Sequence, residues 1–518
     1  MNVVECCLLH GLKTAGADRA AVMSVDETLS YGQLAARVSQ FAAGLTASGL
    51  RPGDRVAMLM FDTPDLVAMH LATMAAGGIA VAVSTRASAD ELAQTLAIAK
   101  PYAVVVDAEF DVAAATAMAQ VAPQAQLIRR DRELRLWKGR DAGPLRPVNR
   151  APVDPAFWVM TSGTTGQPKA VEHHHGTVSV CGAFPEQVLK VTPADRAFTT
   201  SCLHFAYALS TLFGMMRAGA TSVLLERWAT SPSVAATVER FEPTIVLSVP
   251  SVYHRLIEDG LPKLPAFGAV RCYVSAGERL PPRIWNAWHE ASGRPILDCL
   301  GCSESMYMIV ANRPDACRPG SSGLSVPGVE VRIVDEFGKT VTEPAQSGRL
   351  EVRTPSICSG YRDVETGPAG PLLRPAERFR GDDWFATGDE YMLDDEGYLH
   401  HRGRTGDMLR VSGMWISPSE IEDALAGVPS IADAAAVLGE GPLGLAEIVL
   451  YVVPAPGVVP SQAVNGHSVT ATARERLEKV LPSYKLPRRF EAVDDLPRTA
   501  SGKVQRHKLR DLLRREAP

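Results

Sequence analysis

The chain has 518 residues, of which 46% are hydrophobic and 21% charged, and its formal net charge is −5. This length exceeds one hydrophobic core and predicts about three compact units or one large domain with an appendage. The mild charge gives no reason to expect a nucleic-acid partner. Nine cysteines, an odd and scattered set, argue against a disulfide framework and favour a reducing compartment such as the cytoplasm. The N-terminal segment has no basic stretch ahead of an apolar one and does not read as a signal peptide.

From about residue 30 to 300, apolar runs of strand length alternate with stretches of helical periodicity. The runs are RVAMLM (55–60), YAVVVD (102–107), FWVMTS (157–162), TSVLLE (221–226), TIVLSVP (244–250) and VRCYVSAG (270–277). Continuous apolar strands separated by helices predict largely parallel sheets covered on both faces, so the fold class is α/β. The most apolar window, 66–83, contains His70, Thr73 and a Gly-Gly pair, which favours a helix, a turn and a buried strand over a membrane span.

After residue 320 the pattern changes. GVEVRIVDEFGK (328–339) and GRLEVRT (348–354) alternate in polarity and contain turn signals, which predicts a β-rich subdomain built of hairpins. A last segment begins near HRGRTGDML (401–409) and has its own helix and strand pattern. We therefore divide the chain into a large N-terminal domain, 1–405, and a small C-terminal α+β domain, 406–518.

The stretch TSGTTGQPK (161–169) follows a predicted buried strand and ends in a lysine. Glycines let backbone N–H groups approach an anion closely, hydroxyls add neutral donors, and the lysine adds charge, so the stretch suits a polyphosphate. It lacks the spacing of a Walker A loop. The candidate phosphate-binding residues are Thr161, Ser162, Gly163, Thr164, Thr165, Gly166 and Lys169.

Five further stretches accompany this loop in order along the chain: VSAGE (274–278), LGCSES (300–305), WFATGD (384–389), GRTGDMLRVSG (403–413) and PRTASGKVQR (497–506). Together the six resemble the motifs of the adenylate-forming superfamily, which comprises acyl-CoA synthetases, luciferases and peptide-synthetase adenylation domains. The resemblance covers nearly the whole chain. Within the superfamily, HFAY (204–207) and LGCSESMYMIVAN (300–312) are most similar to benzoate and other aryl-CoA ligases.

The resemblance implies an AMP-forming acid–thiol ligase that uses ATP, Mg²⁺ and CoA. A carboxylate attacks the α-phosphate of ATP to give an acyl-adenylate and pyrophosphate, and a thiol then displaces AMP. The small domain is expected to be mobile and to rotate between these half-reactions. Its pivot in the family is often aspartate, and here that place is taken by Gly406.

The resemblance also implies roles for individual residues. Catalytic roles fall on Lys503, Glu304 and Lys169, with Glu304 as the magnesium ligand. The nucleotide is expected to contact Gly277 and Asp298 near adenine, the latter through its backbone or side chain, Ser303 beside the metal ligand, and Asp389 and Arg404 at the ribose. Gly413 and Trp415 are expected near the pantetheine tunnel.

The acid pocket is expected around residues 201–210, where Phe205 occupies a position that is aspartate in amino-acid-activating domains. A phenylalanine leaves a substrate ammonium without a counter-charge, which disfavours amino acids. The pocket residues are His204, Phe205, Tyr207, Ala276, Gly277, Tyr307 and Met308, which suit an aromatic or cyclic carboxylate. Tyr207 or Tyr307 is expected to meet a ring substituent.

Alternatives stay open for the acceptor: a separate carrier protein, an amine, or nitrite in diazo formation on an aminoaryl acid. A catalytically silent protein on the same scaffold is disfavoured by the full set of charged motif residues. EHHH (172–175) and CLGC (299–302) resemble metal-binding tracts but lack a second ligand pair, and Glu172 and His174 are instead expected to line the site. We expect no membrane association and a monomer or homodimer.

Overall fold

The computed structural model describes residues 1–162, 168–344, 346–381, 383–411, 414–440, 446–458, 468–498 and 504–516. The helices are α1 (His10–Ala15), α2 (Tyr31–Ser48), α3 (Pro64–Ala75), α4 (Ala89–Ala99), α5 (Asp111–Val121), α6 (Arg135–Lys138), α7 (Ala206–Arg217), α8 (Ser231–Phe241), α9 (Pro250–Glu258), α10 (Pro265–Gly268), α11 (Pro282–Ser292), α12 (Pro418–Ala424), α13 (Val469–Val480) and α14 (Arg506–Glu516).

The strands are β1 (Ala20–Met23), β2 (Thr28–Ser30), β3 (Arg55–Leu59), β4 (Ile79–Ala82), β5 (Ala103–Val106), β6 (Gln126–Arg129), β7 (Pro155–Ser162), β8 (Pro168–His174), β9 (Arg196–Thr199), β10 (Thr221–Val223), β11 (Ile245–Ser248), β12 (Cys272–Ser275), β13 (Ile296–Gly301), β14 (Met308–Ala311), β15 (Leu324–Ser325), β16 (Glu330–Val334), β17 (Thr340–Val341), β18 (Ser347–Arg353), β19 (Gly360–Arg362), β20 (Phe385–Leu393), β21 (Leu399–Arg404), β22 (Leu409–Val411), β23 (Met414–Ile416), β24 (Ile431–Glu440), β25 (Ala446–Pro454) and β26 (Arg489–Ala492).

Two large sheets carry most of the N-terminal part of the chain. One has the order β15-β14-β13-β12-β11-β9-β10-β1-β2 and the other β19-β8-β7-β4-β3-β5-β6. Their central strands pair in parallel, as the sequence predicts. Antiparallel pairs occur at both ends of the first sheet and at the β19-β8-β7 end of the second, whereas β6 pairs with β5 in parallel. β7 and β8 are antiparallel because strands joined by so short a connection reverse direction.

The most apolar window forms a buried helix and strand, as the sequence predicts. All residues of α3 are buried, and Gly77 follows with a φ of +84°, a backbone conformation that favours glycine. The chain then enters β4, whose residues are also buried. Among the described residues, no helix combines the length and apolarity needed to span a bilayer.

The predicted β-rich subdomain is an antiparallel sheet of order β17-β16-β18-β20-β21. It carries the WFATGD motif on β20 and the start of the GRTGDMLRVSG motif on β21. The predicted hairpins are therefore present, and they place two motifs side by side.

The C-terminal part has a separate core. A sheet of order β24-β25-β26 packs with α12, α13 and α14, and Ile421, Leu450 and Ala473 are among its buried side chains. Arg279 of the N-terminal part donates two hydrogen bonds to the Asp423 carboxylate on α12, at 2.7 and 2.5 Å. The two parts therefore meet through a bidentate ion pair.

Candidate active site

The glycine-rich stretch joins the two strands of one hairpin. β7 ends at Ser162 and β8 begins at Pro168, with Thr161 opposite Lys169 in the register. The Thr161 hydroxyl donates to the carbonyl oxygen of Lys169 at 3.4 Å. Residues 163–167 and the Ser162 side chain lie outside the described residues. The predicted contacts of this loop with phosphate stay predictions.

Glu304 lies in the turn after β13, where two donors converge on its carboxylate. The Tyr361 hydroxyl donates to Oε1 at 2.7 Å, and Arg378 Nη2 donates to the same oxygen at 3.2 Å. The Cys358 backbone N–H also donates to the Glu304 carbonyl oxygen at 2.8 Å. The carboxylate is oriented by its neighbours and stays 14% exposed, as a hard oxygen ligand for a cation must be.

Ser303, beside Glu304, is held through its backbone. Its carbonyl oxygen lies 2.8 Å from Nε2 of His173, which is fully buried and stacks on Phe157. A carbonyl can only accept, so Nε2 carries the proton in this hydrogen bond. Burial lowers the pKa of His173 to about 3, which keeps the ring neutral at pH 7. His173 therefore positions the turn that carries Glu304.

Asp389 and Arg404 face each other across β20 and β21. Arg404 Nε lies 2.9 Å from Asp389 Oδ1, and Nε2 of His401 lies 3.5 Å from the same oxygen. The Asp389 side chain is 3% exposed and that of Arg404 is 48% exposed, and the carboxylate raises the pKa of the guanidinium. The pair presents a buried acceptor with a cation at its rim, which suits ribose hydroxyls.

Gly277 and Asp298 belong to neighbouring parallel strands: Gly277 follows β12, and Asp298 lies in β13. Gly277 lies two residues after the end of β12 with a φ of +89°, and Asp298 of β13 pairs with Ser275, the last residue of β12. The Ser322 hydroxyl donates to Asp298 Oδ2 at 3.4 Å. Burial raises the pKa of the Asp298 carboxyl well above its usual range. One position lies just beyond the end of β12 and the other in the adjacent strand β13, as expected for one ligand subsite.

An aromatic cluster contains two of the predicted pocket residues, His204 and Phe205. The rings of His204 and Phe205 lie 4.1 Å apart, and each also contacts Trp228, at 5.7 and 5.9 Å. The Arg86 guanidinium stacks on Trp228 at 4.3 Å. Burial lowers the pKa of His204 to about 4, so this ring is neutral at pH 7. The cluster offers apolar faces and no counter-charge for an ammonium.

The predicted pocket residues Tyr207 and Ala276 lie against β11 and β12. The Tyr207 hydroxyl donates to the carbonyl oxygens of Ser248 and Val274, at 3.4 and 3.3 Å. The Ala276 N–H donates to the Ser248 carbonyl at 3.3 Å, and its side chain is buried. The Tyr207 hydroxyl is therefore already engaged by the sheet, and its ring is the part that a ligand would meet.

Tyr307 and Met308 lie at the start of β14 and line a small cavity with Ala183 and Phe184. The Tyr307 hydroxyl is buried and has no hydrogen-bond partner among the described residues. An unpaired buried hydroxyl is costly, so a polar group of a bound ligand would be favoured there. Of the two tyrosines considered from the sequence, Tyr307 is the one whose hydroxyl donor is not used by the described residues.

Several predicted residues lie at or beyond the limits of the description. Lys503 and Gly413 are outside the described residues, and so is the Trp415 side chain, although its backbone belongs to β23. Gly406 is exposed in the turn after β21, with a φ outside the left-handed region and no atom within 4 Å of a Cβ added there. This conformation therefore does not itself require a glycine at the predicted pivot.

Glu172, which is expected to line the site, is buried in β8 and bonded to neighbouring side chains, so its place in the site stays a prediction. It forms a buried ion pair with Arg362, with Nε 3.1 Å from Oε2 and Nη2 3.4 Å from Oε1. Trp158 Nε1 donates to the same carboxylate at 3.1 Å. This ion pair fastens β19 to β8, the strand that follows the glycine-rich loop.

Sequence reasoning missed Tyr361 and Arg378 at Glu304, and Trp228 beside His204. The contacts of Glu304 with Tyr361 and Arg378 span 57 and 74 residues of sequence, and neither donor belongs to a motif used above. No local pattern could have paired them. A long-range contact of this kind becomes visible only once the sheets are assembled.

Two family comparisons match this chain. The AMP-binding enzyme family matches residues 12–362, and the AMP-binding enzyme C-terminal domain matches residues 420–503. The chain therefore belongs to the AMP-binding enzyme family. The resemblance to the adenylate-forming superfamily that rests on the six motifs is confirmed.

The chain is also similar to individual proteins over its full length. It is 36% identical over 521 residues to a 3-hydroxybenzoate–CoA ligase of Aromatoleum sp. (strain CIB), covering 99% of this chain and 97% of that one. It is 34% identical to a 3-hydroxybenzoate–CoA/4-hydroxybenzoate–CoA ligase of Thauera aromatica, covering 99% and 97%. The crystal structure of the anthranilate CoA ligase AuaEII in complex with anthranoyl-AMP matches with a TM-score of 0.88 and 28% identity, covering 99% and 97%. The predicted α/β fold class and the aryl-CoA ligase resemblance are confirmed.

Proposed function

We propose that the protein is an ATP-dependent aryl-CoA ligase, which activates an aromatic carboxylic acid as an acyl-adenylate and transfers the acyl group to CoA. The observation that carries the proposal is the placement of Glu304 and Asp389, two carboxylates with arginine partners. Glu304 accepts from Tyr361 of β19, the strand that pairs with β8 of the glycine-rich hairpin, and Arg378 lies between Glu304 and Gly388, the residue before Asp389. The full-length relatives named as hydroxybenzoate–CoA ligases support the substrate class and the acceptor.

In the first half-reaction the nucleotide would lie across this site. Asp389 would accept hydrogen bonds from the ribose hydroxyls with Arg404 beside them, and Gly277 and Asp298 would flank adenine. Lys169 and the glycine-rich loop, Thr161 to Gly166, would hold the β- and γ-phosphates. A carboxylate oxygen of the acid attacks the α-phosphorus and pyrophosphate leaves, so fixed donors around the phosphates stabilise the charge that develops.

The donors of the site fit a magnesium ion bound mainly by ATP. Among the described residues, no group of three metal-binding side chains is present, and Glu304 supplies one accessible carboxylate. Mg²⁺ commonly takes one or two carboxylates together with substrate phosphates and water, so this donor set suits it. Bound there beside Ser303, the ion would neutralise phosphate charge.

The acid pocket supports an aromatic substrate. His204, Phe205 and Trp228 present ring faces, and His204 stays neutral at pH 7 because burial lowers its pKa to about 4. Tyr307 would offer its unpaired hydroxyl to a ring substituent, and Met308 would contact the ring. A hydroxybenzoate has the shape and the polar substituent that this arrangement favours.

Both half-reactions need the C-terminal domain, and we keep the division of the chain into residues 1–405 and 406–518. During adenylation, Lys503 would stabilise the carboxylate and the α-phosphate. Rotation of the small domain about Gly406 would then admit the CoA thiol for the second half-reaction. That thiol attacks the acyl carbon and AMP leaves with the oxygen that joined it to the acid. A cytoplasmic monomer or homodimer is consistent with this chemistry, and a separate carrier protein stays an alternative acceptor.

Product analysis tests the proposal. The protein is incubated with ATP, Mg²⁺ and a panel of benzoic, hydroxybenzoic and aminobenzoic acids, with CoA, with an amine, with nitrite or with no acceptor, and products are identified by mass spectrometry. Formation of an aryl-CoA thioester and AMP supports the proposal. Turnover that ignores CoA and requires nitrite, an amine or a carrier protein overturns the choice of acceptor, and the absence of any adenylate overturns the function.

A further inference from the structure

Arg378 occupies a position between the two carboxylates of the candidate active site. Its Nη2 lies 3.2 Å from Glu304 Oε1. Its Nη1 lies beside Gly388, which precedes Asp389: a Cβ added at Gly388 would be 3.1 Å from Arg378 Nη1 and 3.8 Å from Arg404 Nη1. Two guanidinium groups therefore converge on the backbone of the WFATGD motif.

The arrangement leaves Arg378 with donor capacity that the described residues do not use. Its Nε is buried with no hydrogen-bond partner among the described residues, and its guanidinium carbon lies 4.8 Å from the centroid of the Phe385 ring. An arginine has five N–H donors in a fixed fork, which matches phosphate oxygens well. The aromatic face supports the cation without neutralising it.

The contact with Glu304 is one that the proposed nucleotide complex would disturb. Glu304 is the candidate ligand of Mg²⁺, and its Oε1 already accepts from Tyr361 and Arg378. The Arg378 and Glu304 side chains are 27% and 14% exposed, so the contact is given up only if each group gains a new partner of opposite charge. A phosphate oxygen between Glu304 and the ribose subsite would be a stronger partner for the guanidinium.

We propose that Arg378 is a phosphate-binding residue that neutralises Glu304 in the absence of nucleotide and transfers its hydrogen bonds to ATP when Mg²⁺·ATP binds. The inference rests on the proposed function and extends it to a residue outside the sequence motifs. Glu304 is thereby left to the cation, and Arg378, Arg404 and Lys169 surround the phosphates and ribose with positive charge.

Calorimetric titrations of the full chain test this role. Arg378→Met is expected to weaken binding of Mg²⁺ with α,β-methylene-ATP by roughly 10-fold or more, since a charge-assisted hydrogen bond is lost. Binding of adenosine, which has no phosphate, should stay within about 2-fold of the parent. Arg374→Met is the matched control, since Arg374 stacks on Phe379 and donates to the Ser359 carbonyl; it should change neither affinity.

Equal weakening for adenosine and the analogue, or no weakening at all, would overturn the inference. If Arg378→Met does not fold, Arg378→Lys keeps a cation without the fork and should weaken the analogue by about 3-fold or more with adenosine unchanged; unaltered analogue binding there counts against the role. A crystal structure of the analogue complex must show Arg378 on a phosphate oxygen and not on Glu304. Failure of the parent protein to bind the analogue or to form an adenylate would instead refute the proposed function.

Discussion

The buried ion pair between Glu172 and Arg362 gives a prediction that depends on the fold alone. The two side chains are 3% and 10% exposed, and their closest atoms are 3.1 Å apart. Glu172→Gln keeps the shape and an acceptor for Trp158 but leaves the Arg362 guanidinium buried without a counter-charge. Breaking a buried pair from one side typically costs about 3–5 kcal/mol, so the free energy of unfolding should fall by an amount in that range.

Urea denaturation followed by tryptophan fluorescence measures this loss, and the buried indole of Trp158 is one of seven tryptophans that contribute to the signal. The matched control is Glu330→Gln, which breaks the pair of Glu330 with Arg353, whose side chains are 61% and 42% exposed. The control should leave the denaturation midpoint unchanged, because solvent screens exposed pairs. If Glu172→Gln shifts the midpoint no more than the control does, the reasoning about burial is wrong.

Three further predictions follow from other contacts. Asp389→Asn should raise KM for ATP by roughly 10-fold, because a charged acceptor for the ribose hydroxyls is lost. The loss of stability should be small, because the partner that loses its counter-charge, Arg404, is 48% exposed. Initial rates at varied ATP concentrations check this prediction, and an unchanged KM contradicts it. Arg279→Ala should change the ratio of the adenylation rate to the thioester-forming rate by about 5-fold, because the bidentate contact of Arg279 with Asp423 joins the two parts of the chain. Separate assays of the two half-reactions measure this ratio, and an unchanged ratio contradicts the prediction. Burial lowers the pKa of His70 to about 3, below its value near 6.5 in the unfolded chain, so the folded state is destabilised by about 1.4 kcal/mol per pH unit as the pH falls from 6.5 toward 3. In urea titrations, His70→Leu should therefore lose less stability between pH 7 and pH 5 than the parent. An equal loss in both proteins argues against this cause.

Much of the fold followed from the sequence because its strands are buried on both faces and read as apolar runs. The runs at 55–60, 102–107, 244–250 and 270–277 all contain strands of the two large sheets. The antiparallel partner of β7 was missed, since PKAVEHH has no strand-like alternation and is specified by pairing with its neighbour.

The sequence predicts those residues of the candidate site that belong to motifs. The pairing of Asp389 with Arg404 combines two motifs that adjacent strands bring together. Arg378 and Tyr361 could not be assigned, because their contacts with Glu304 depend on long-range packing and not on local spacing. The ion pair of Glu172 could not be assigned for the same reason, since its partner lies 190 residues away in sequence.

The fate of the carboxylate oxygens tests the central claim most directly. The protein is supplied with 3-hydroxybenzoate labelled with ¹⁸O in both carboxylate oxygens, together with ATP, Mg²⁺ and CoA, and the products are examined by mass spectrometry. An acyl-adenylate route predicts one ¹⁸O in AMP and one retained in the thioester carbonyl. Unlabelled AMP, with ¹⁸O found instead in orthophosphate or pyrophosphate, would contradict attack on the α-phosphate and with it the assigned chemistry.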